Sequence, residues 1–292
     1  PDELVVSDDG STDRTIEILD SFAKAASFPV RVYRNPERLG YSRNFERAIE
    51  LCSGDIIFLC DQDDVWFPEK VKTVLQAFQA PEHPLVVANN AELTDADLRP
   101  TGLTAVRQLS GAGLRADSFV WGCCTAFLAE LRVAILPIPH DCIGHDGWIH
   151  RVALTLDRRV LLPQPLQYFR RHGSNASHWF VIQTRRVTIL DRVKHYAPGD
   201  TRAACKQRLA QLEMLSSRLR DRRRELETLL GEDLELNAAL ERIRREQQAV
   251  MRRLAMLALR GPSRWVPAWR MLRAGDYSYF SGWMSLVKDL VQ

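Results

Sequence analysis

The chain has no apolar run long enough for a membrane-spanning helix. None of its 292 residues belong to a stretch near the roughly 18 to 20 apolar residues that cross a bilayer. The N-terminus does not show a basic segment followed by an apolar one. Six cysteines are present without a Cys-x-x-Cys pair, which argues against a disulfide framework and a zinc site. We therefore expect reduced thiols and a cytoplasmic location.

Composition indicates an ordinary globular chain with an uneven charge distribution. Hydrophobic residues make up 46% and charged residues 26%, with a net charge of +3, which is compatible with one large domain and an appendage. Residues 181–260 hold 18 Lys and Arg against 11 Asp and Glu. The basic excess therefore belongs to the C-terminal part. Basic residues without a recognisable binding module do not predict a nucleic-acid partner.

An apolar run that stops at three carboxylates is the most informative stretch. Residues 56–60 are predicted to form a buried strand, and Asp61, Asp63 and Asp64 follow it directly. The carboxyl ends of strands are where ligands bind in open α/β sheets. Three acids this close repel one another unless a cation neutralises them, and oxygen ligands suit Mg²⁺ or Mn²⁺. A solvated acidic turn before the helix that starts near Pro68 is an equal alternative.

The N-terminal part alternates strands and helices. We predict strands at 3–7 and 30–34 and helices at 14–26 and 41–52 before the aspartate strand. Such alternation predicts a mostly parallel sheet with right-handed crossovers. Asp8 and Asp9 end the first strand, where they either form a simple strand-turn-helix joint or accept a hydrogen bond from a nucleobase.

Four short motifs occur together in the order and spacing of a known family. They are Asp8-Asp9-Gly10-Ser11-Thr12-Asp13, the loop Asn35 to Gly40 leading to Arg43-Asn44, Gly54-Asp55-Ile56-Ile57, and Asp61-Gln62-Asp63-Asp64. In these motifs the chain resembles a glycosyltransferase of family 2. The resemblance implies the GT-A fold, an α/β architecture with a mixed nucleotide-sugar-binding sheet flanked by helices. The family's first strand and the loop after it have no counterpart here, so we expect the chain to be truncated at its N-terminus.

The resemblance also implies a donor site. Asp8 or Asp9 would read the nucleobase of a nucleoside-diphosphate sugar, with Arg43 and Asp61 as further nucleotide-binding residues. Asp61 and Asp63 would form an Asp-x-Asp metal site for Mg²⁺ or Mn²⁺.

A second group of residues points to the acceptor side. Asp146 follows His145 at the predicted start of a helix and is our candidate for the base that takes the acceptor's proton. Trp121, Gly122, His145 and Trp148 are predicted to contact the acceptor. A helix N-cap at Asp146 and a packed turn around Gly122 are the structural alternatives.

The last polar loop of the predicted catalytic part contains Arg170, Arg171 and His172. Two guanidinium groups and an imidazole are suited to bind diphosphate oxygens, or the loop could supply one further metal ligand. The Asp-Gln-Asp-Asp-Val-Trp and His-Asp-x-Trp segments, with this loop, narrow the resemblance to the bacterial rhamnosyltransferase-like branch.

We predict three parts, a catalytic domain at 1–180, a helical hairpin or coiled-coil region at 181–260, and an aromatic, basic segment at 261–292. The leucine spacing in 207–230 and 236–257 predicts two helices that pair with each other or form a homo-oligomer. The terminal segment suits peripheral contact with the inner face of the membrane, or packing against the catalytic domain.

These observations favour an inverting, metal-dependent glycosyltransferase. It would move a sugar such as rhamnose to a glycan or lipid-linked acceptor in cell-surface polysaccharide synthesis. A sugar-phosphate nucleotidyltransferase and a non-catalytic nucleotide-binding scaffold are the alternative hypotheses.

Overall fold

A computed structural model describes residues 1–140, 142, 144–173, 175, 179–195, 201–231 and 233–291. The chain divides into two compact units, Pro1–Tyr196 (unit 1) and Ala197–Gln292 (unit 2). The predicted division into three parts, with limits at 180 and 260, stays a prediction.

Unit 1 contains all the strands that the described residues form. They are β1 (Leu4–Asp8), β2 (Val30–Arg34), β3 (Ile56–Phe58), β4 (Val65–Trp66), β5 (Val86–Thr94), β6 (Pro100–Thr104), β7 (Thr125–Leu128) and β8 (Arg159–Arg170). Its helices are α1 (Thr15–Ala25), α2 (Tyr41–Leu51), α3 (Lys70–Phe78), α4 (Ala105–Gly111), α5 (Arg132–Ile135), α6 (Gly144–Leu156) and α7 (Ile189–His195).

The strands form two sheets. β1 and β2 pair in parallel, as the first βα alternation predicts. The larger sheet has the order β3-β7-β5-β8-β4, with β6 on β5. Within it, β5 and β8 pair in parallel, whereas β7 runs antiparallel to both β3 and β5. The expectation of a mostly parallel sheet was therefore wrong, because the later strands do not continue the βαβ alternation, and the sheet is mixed.

The aspartate strand is shorter than predicted but lies in the sheet. β3 ends at Phe58, and the amide of Leu59 still donates to the carbonyl of Thr125 on β7 (2.9 Å). Ile57 and Leu59 are buried. The acidic loop therefore begins where β3 leaves its neighbour, and β4 returns the chain to the sheet beside β8.

The core of unit 1 packs around β5, whose residues Val86 to Ala88 are fully buried. Strands covered on both faces are apolar without alternation, which explains the continuous run in the sequence. The ring of Trp121 packs against β5 between the rings of Phe119 and Phe169. The centroid of the Trp121 ring lies 5.0 Å from the centroid of each phenylalanine ring.

Unit 2 is helical. Its helices are α8 (Thr201–Asp221), α9 (Arg223–Leu230), α10 (Asp233–Ala258), α11 (Trp265–Arg273) and α12 (Trp283–Val291). The prediction of one continuous helix over 207–230 was wrong, because Arg222 leaves helical geometry between α8 and α9. Leucine spacing does not report such a local break.

The two long helices of unit 2 pair in antiparallel orientation. Arg208 on α8 donates to Glu246 on α10 (2.8 Å), and Arg223 on α9 donates to Asn237 on α10 (3.1 Å). Later residues of the first arm therefore contact earlier residues of α10. Of the predicted seam residues, Leu209, Leu240 and Leu254 are half-buried, and the buried ones are Leu212, Leu219, Leu226, Leu236, Ile243, Val250 and Leu257. The seam residues therefore pack within the intramolecular hairpin, which is the first of the two predicted arrangements, rather than in a homo-oligomer.

The last turns of α10 form two bidentate ion pairs with the C-terminal segment. Arg252 binds Asp276 at 2.7 and 2.6 Å, and Arg253 binds Asp289 at 2.9 and 2.8 Å. Both carboxylates are buried. No helix within the described residues has the length and apolar character required to cross a membrane.

Candidate active site

The acidic loop between β3 and β4 collects carboxylates in a partly buried position. Donor atoms of Asp61, Asp64 and Cys123 lie within 4.8 Å of one another. Burial, with repulsion from Asp64 and Asp63, raises the pKa of Asp61 to about 7. Burial likewise raises the pKa of Asp64 to about 6. Such crowded carboxylates favour either a proton or a cation between them.

The end of β8 and the loop after it close over these acids. Nε2 of His172 lies 2.8 Å from Oδ2 of Asp63, and Nδ2 of Asn175 donates to the same oxygen (3.1 Å). The amide of Arg170 donates to Oδ1 of Asp64 (3.1 Å). The structure therefore brings two of the predicted diphosphate-binding residues, Arg170 and His172, to the acidic loop.

Arg170 also presents an unused donor. Its Nε atom is buried and makes no hydrogen bond within the described part of the chain. Neighbouring Arg171 places its guanidinium 5.7 Å from the ring of Phe169. A buried guanidinium N–H group beside carboxylates suits an anion that enters the site, because such donors are costly to leave unpaired.

Lys70 is a buried residue whose contacts support the acidic loop. It was not predicted from the sequence. Lys70 is 1% exposed, donates to the carbonyl oxygen of Cys123 (3.1 Å) and to Oε1 of Gln167, and lies 4.0 Å from the ring centroid of Trp66. Gln167 in turn donates to Oδ2 of Asp64 (2.9 Å). A lysine at a helix start normally indicates a surface position, so no pattern in the sequence signals this role.

Asp146 lies in the first turn of α6, as predicted. Its Oδ1 accepts from the amide of Gly147 (2.7 Å). Burial raises the pKa of Asp146, although hydrogen bonds from the Gly147 and Gly122 amides oppose this. Its charge also contributes to the raised pKa of Asp61. The base candidate and the acidic loop therefore belong to one electrostatic site.

His145 is buried beside Asp146. Its ring stacks on Phe45 with centroids 4.0 Å apart and meets Tyr41 edge-on. Neither ring nitrogen has a hydrogen-bond partner within the described ranges, and burial lowers the pKa of His145 to about 4. The ring is therefore neutral near pH 7. A Cβ atom on Gly122 would lie 3.0 Å from its Nε2, which explains why glycine suits that position.

The two tryptophans predicted to contact the acceptor lie in the core. Trp121 is 8% and Trp148 3% exposed. Nε1 of Trp148 donates to the carbonyl oxygen of Ile135 (2.9 Å), and Trp121 stacks on Phe169. This placement favours a packing role for both rings, since neither offers an open face to a sugar.

The predicted nucleotide side is built around the turn after β1. Asp8 accepts from the amides of Gly10 (3.2 Å) and Ser11 (3.1 Å). Asp9 accepts from the amides of Leu39 (2.7 Å) and Gly40 (2.8 Å), and Asn35 also donates to it. Burial acts to raise the pKa of Asp9, but these hydrogen bonds outweigh it and lower the pKa.

An open cavity of about 400 Å³ lies beside this turn, lined by Asp9, Gly10, Ser11, Thr12, Asp13 and Arg38. Arg43, also predicted for this side, instead pairs with Glu46 on α2. Glu46 accepts from the amide of Ile138 (3.2 Å) as well. Arg38 is therefore a cavity residue that the motif did not single out, whereas Arg43 has a protein partner.

The donor set at the acidic loop fits a hard divalent cation. Asp61, Asp63 and Asp64 supply carboxylate oxygens, which suit Mg²⁺ or Mn²⁺, and His172 orients Asp63. Hydrogen bonding with Cys124, together with burial, raises the pKa of the Cys123 thiol well above its usual range. Cys123 therefore stays protonated and is a poor ligand for such ions. Asp63 lies outside the group of donor atoms that Asp61, Asp64 and Cys123 form, and its carboxylate pairs with His172.

Comparisons with known proteins place the chain in a family. A family model described as glycosyl transferase family 2 matches residues 1–130. The dTDP-rhamnosyl transferase RfbG of Shigella flexneri is 32% identical over 223 residues, which cover 69% of this chain and 74% of RfbG. The chain belongs to glycosyltransferase family 2. The predicted family and the predicted fold class, a mixed sheet flanked by helices with further helices after it, are confirmed.

Other relatives of this family 2 member are longer. The uncharacterized protein Rv1520 of Mycobacterium tuberculosis is 26% identical over 185 residues, covering 61% of this chain and 52% of Rv1520. The chain thus spans about half the length of the first curated relatives it matches. Among solved structures, TarS 1-349 of S. aureus in complex with UDP aligns with a TM-score of 0.46 at 18% identity, covering 59% of this chain and 52% of that one.

Proposed function

We propose that this family 2 protein is an inverting glycosyltransferase that uses a nucleoside-diphosphate sugar as donor. The observation that carries the proposal is the convergence of Asp61, Asp63, Asp146 and His172 at one edge of the mixed sheet. The likeness to RfbG, named for dTDP-rhamnose transfer, supports rhamnose or a related deoxysugar as the transferred group. The acceptor that we propose is a glycan or a lipid-linked sugar in cell-surface polysaccharide synthesis.

The acidic loop and the loop after β8 would bind the diphosphate together. Asp61 and Asp63 would hold Mg²⁺ or Mn²⁺, with Asp63 oriented by His172, and the ion when bound would neutralise charge on the departing diphosphate. Arg170 would donate its free Nε–H to a phosphate oxygen, and Arg171 would add a second cation. Asp9 and Arg38 line the cavity in which the nucleobase would lie.

Asp146 would take the proton of the acceptor hydroxyl as that oxygen attacks the anomeric carbon. A general base works best when its pKa approaches the working pH, and burial moves the pKa of Asp146 in that direction. The Gly147 amide donates to Oδ1 of this carboxylate and the Gly122 amide also donates to the side chain, so the carboxylate is held in place for the acceptor hydroxyl. Neutral His145 packs beside it and adds no competing positive charge.

Calorimetric titration tests the donor site. The protein is titrated with UDP, dTDP and GDP, each with and without Mn²⁺, and the Asp63→Ala variant is measured in parallel. Asp97→Ala is the matched control, because Asp97 is an exposed aspartate of unit 1 paired with Arg99. We expect one diphosphate to bind only with Mn²⁺ and to lose affinity in Asp63→Ala alone. Binding of no diphosphate, or binding that ignores both Mn²⁺ and Asp63, would contradict the proposal.

A transfer assay tests the reaction itself. Release of the nucleoside diphosphate from the matching sugar nucleotide is followed with glycan and lipid-linked acceptors, and the anomeric configuration of the product is determined by NMR. Inversion is the expected result. Retention of configuration, or formation of a sugar nucleotide from a sugar phosphate and a nucleoside triphosphate, would replace the proposed reaction with another.

A further inference from the structure

Two helices of unit 2 expose apolar stripes with the same spacing. On α11 the stripe is Trp265, Trp269 and Leu272, and on α12 it is Trp283, Val287 and Leu290; Val266 and Val291 are exposed as well. Both sets follow the i, i+4, i+7 pattern of one helix face. The three indoles are 62%, 60% and 64% exposed. Monomeric soluble proteins rarely leave several large aromatic side chains this open on neighbouring elements.

These stripes are separate from the surfaces that hold unit 2 together. Other positions on α11 and α12 supply Ala268, Met271 and Met284 to the core. The exposed tryptophans are therefore not required to bury the helices, and a functional partner is the better explanation for them.

The accessible charge of the segment that carries the stripes, residues 259–291, has one sign. Residues 259–291 contain five basic residues and two acids. Both acids, Asp276 and Asp289, are buried and paired with Arg252 and Arg253 of α10. Arg260, Arg270 and Arg273 are exposed. The accessible charge of this segment is therefore basic.

We propose that the α11–α12 face binds the surface of an anionic lipid bilayer. Tryptophan is suited to the headgroup region, because its ring is apolar and its N–H group can still meet water or lipid oxygens. Exposed arginines beside it would meet negatively charged headgroups. A protein partner or a second copy would match the apolar stripes equally. The basic accessible charge of residues 259–291 favours an anionic surface as the partner. The inference is independent of the transferase reaction.

Vesicle cosedimentation with the full chain tests this surface. One set of vesicles contains phosphatidylcholine alone, and the other contains phosphatidylcholine with phosphatidylglycerol. We expect binding to the anionic vesicles, weakened by salt, and an emission shift of tryptophan to shorter wavelength. Brominated lipids should quench that emission, because the exposed indoles would insert at the boundary between the headgroups and the acyl chains. Absence of binding to anionic vesicles would overturn the proposal.

Two sets of variants separate the apolar and the charged contributions. The combined variant Trp265→Ser, Trp269→Ser and Trp283→Ser should weaken binding more than tenfold, by loss of the apolar area buried in lipid. Its control is Ile18→Ser, Phe22→Ser and Leu190→Ser, which removes three exposed apolar side chains of unit 1. Equal effects of the two sets would overturn the proposal.

The charge variant is Arg270→Gln with Arg273→Gln. Each basic residue contributes about a fivefold factor in binding to an anionic surface, so we expect a loss of roughly 25-fold. The control is Arg244→Gln with Arg245→Gln, two arginines of α10 whose side chains are exposed. Sedimentation equilibrium without lipid is measured as well. A dimer that the tryptophan variant dissociates would assign the face to a second copy and overturn the lipid proposal.

Discussion

Nε2 of His172 lies 2.8 Å from Oδ2 of Asp63, although the two residues are 109 positions apart. The contact joins the acidic loop after β3 to the loop after β8. Asn175 donates to the same carboxylate oxygen (3.1 Å). The orientation of Asp63 therefore depends on residues that come more than 100 positions later in the sequence. A carboxylate oriented in this way is prepared for a ligand that bridges the two loops.

Removal of the imidazole should weaken metal binding. We expect His172→Ala to lower the affinity for Mn²⁺ in the presence of the matching diphosphate about 10- to 100-fold, the usual effect of losing a ligand's orienting partner. Electron paramagnetic resonance of free Mn²⁺ measures this directly. His140→Ala, which removes an exposed histidine, should have no effect. Unchanged Mn²⁺ affinity in His172→Ala would show that Asp63 needs no support.

Asp146→Asn should abolish transfer while donor binding persists. The asparagine oxygen can still accept from the Gly147 amide, so the turn is retained, but the side chain can no longer accept a proton. Loss of a general base slows such reactions roughly 10²- to 10⁴-fold. Single-turnover transfer and calorimetry of the nucleoside diphosphate separate the two effects. If transfer continues at the original rate, the base is another residue.

Much of unit 1 could be predicted because its signals are local. The apolar run before Asp61 predicted a strand end, and the Gly and Asp residues after β1 predicted a turn into α1. The order of the larger sheet was not accessible in this way, because β7 enters between β3 and β5 from a distant part of the sequence. The break at Arg222 was missed for a related reason, since leucine spacing continues across it.

The acidic residues of the candidate site could be predicted from the sequence, whereas the residues that hold them in place could not. Asp61, Asp63 and Asp146 stand in short motifs, so residue type and neighbours point to them. Lys70 and Gln167 reach the acids only through tertiary packing, and each occupies a position that local patterns treat as ordinary. Trp148 stands beside a catalytic candidate in the sequence, and the structure buries it with a main-chain partner, so its predicted contact with the acceptor stays a prediction.

Lys70→Met should destabilise the fold of unit 1. The substitution keeps the length of the side chain but leaves the carbonyl oxygen of Cys123 and Oε1 of Gln167 buried without this donor. An orphaned buried acceptor costs about 1–3 kcal/mol, and we expect a loss of that order in the free energy of unfolding. Urea denaturation measures it, with Lys72→Met on the exposed side of α3 as control. Equal midpoints for the two variants would contradict the role assigned to Lys70.

His145 should make stability fall on acidification. Its pKa is lowered by burial from 6.5 to about 4, so between these values the unfolded chain binds a proton that the folded chain does not. The free energy of unfolding therefore falls as pH decreases through this window. The raised pKa values of Asp61 and Asp64 act in the opposite direction, because their carboxyls bind protons more readily in the folded chain.

Comparison within variants isolates the histidine contribution. For pKa values of 6.5 and about 4, the stability lost between pH 7 and pH 5 through His145 is roughly 2 kcal/mol. Since the aspartates remain in His145→Gln, their opposing contribution cancels when the pH-dependent loss is compared with that of the parent chain. We expect the variant to lose about 2 kcal/mol less than the parent by urea denaturation at the two pH values. His140→Gln should match the parent, and an equal loss in His145→Gln would mean that the buried ring is protonated without cost.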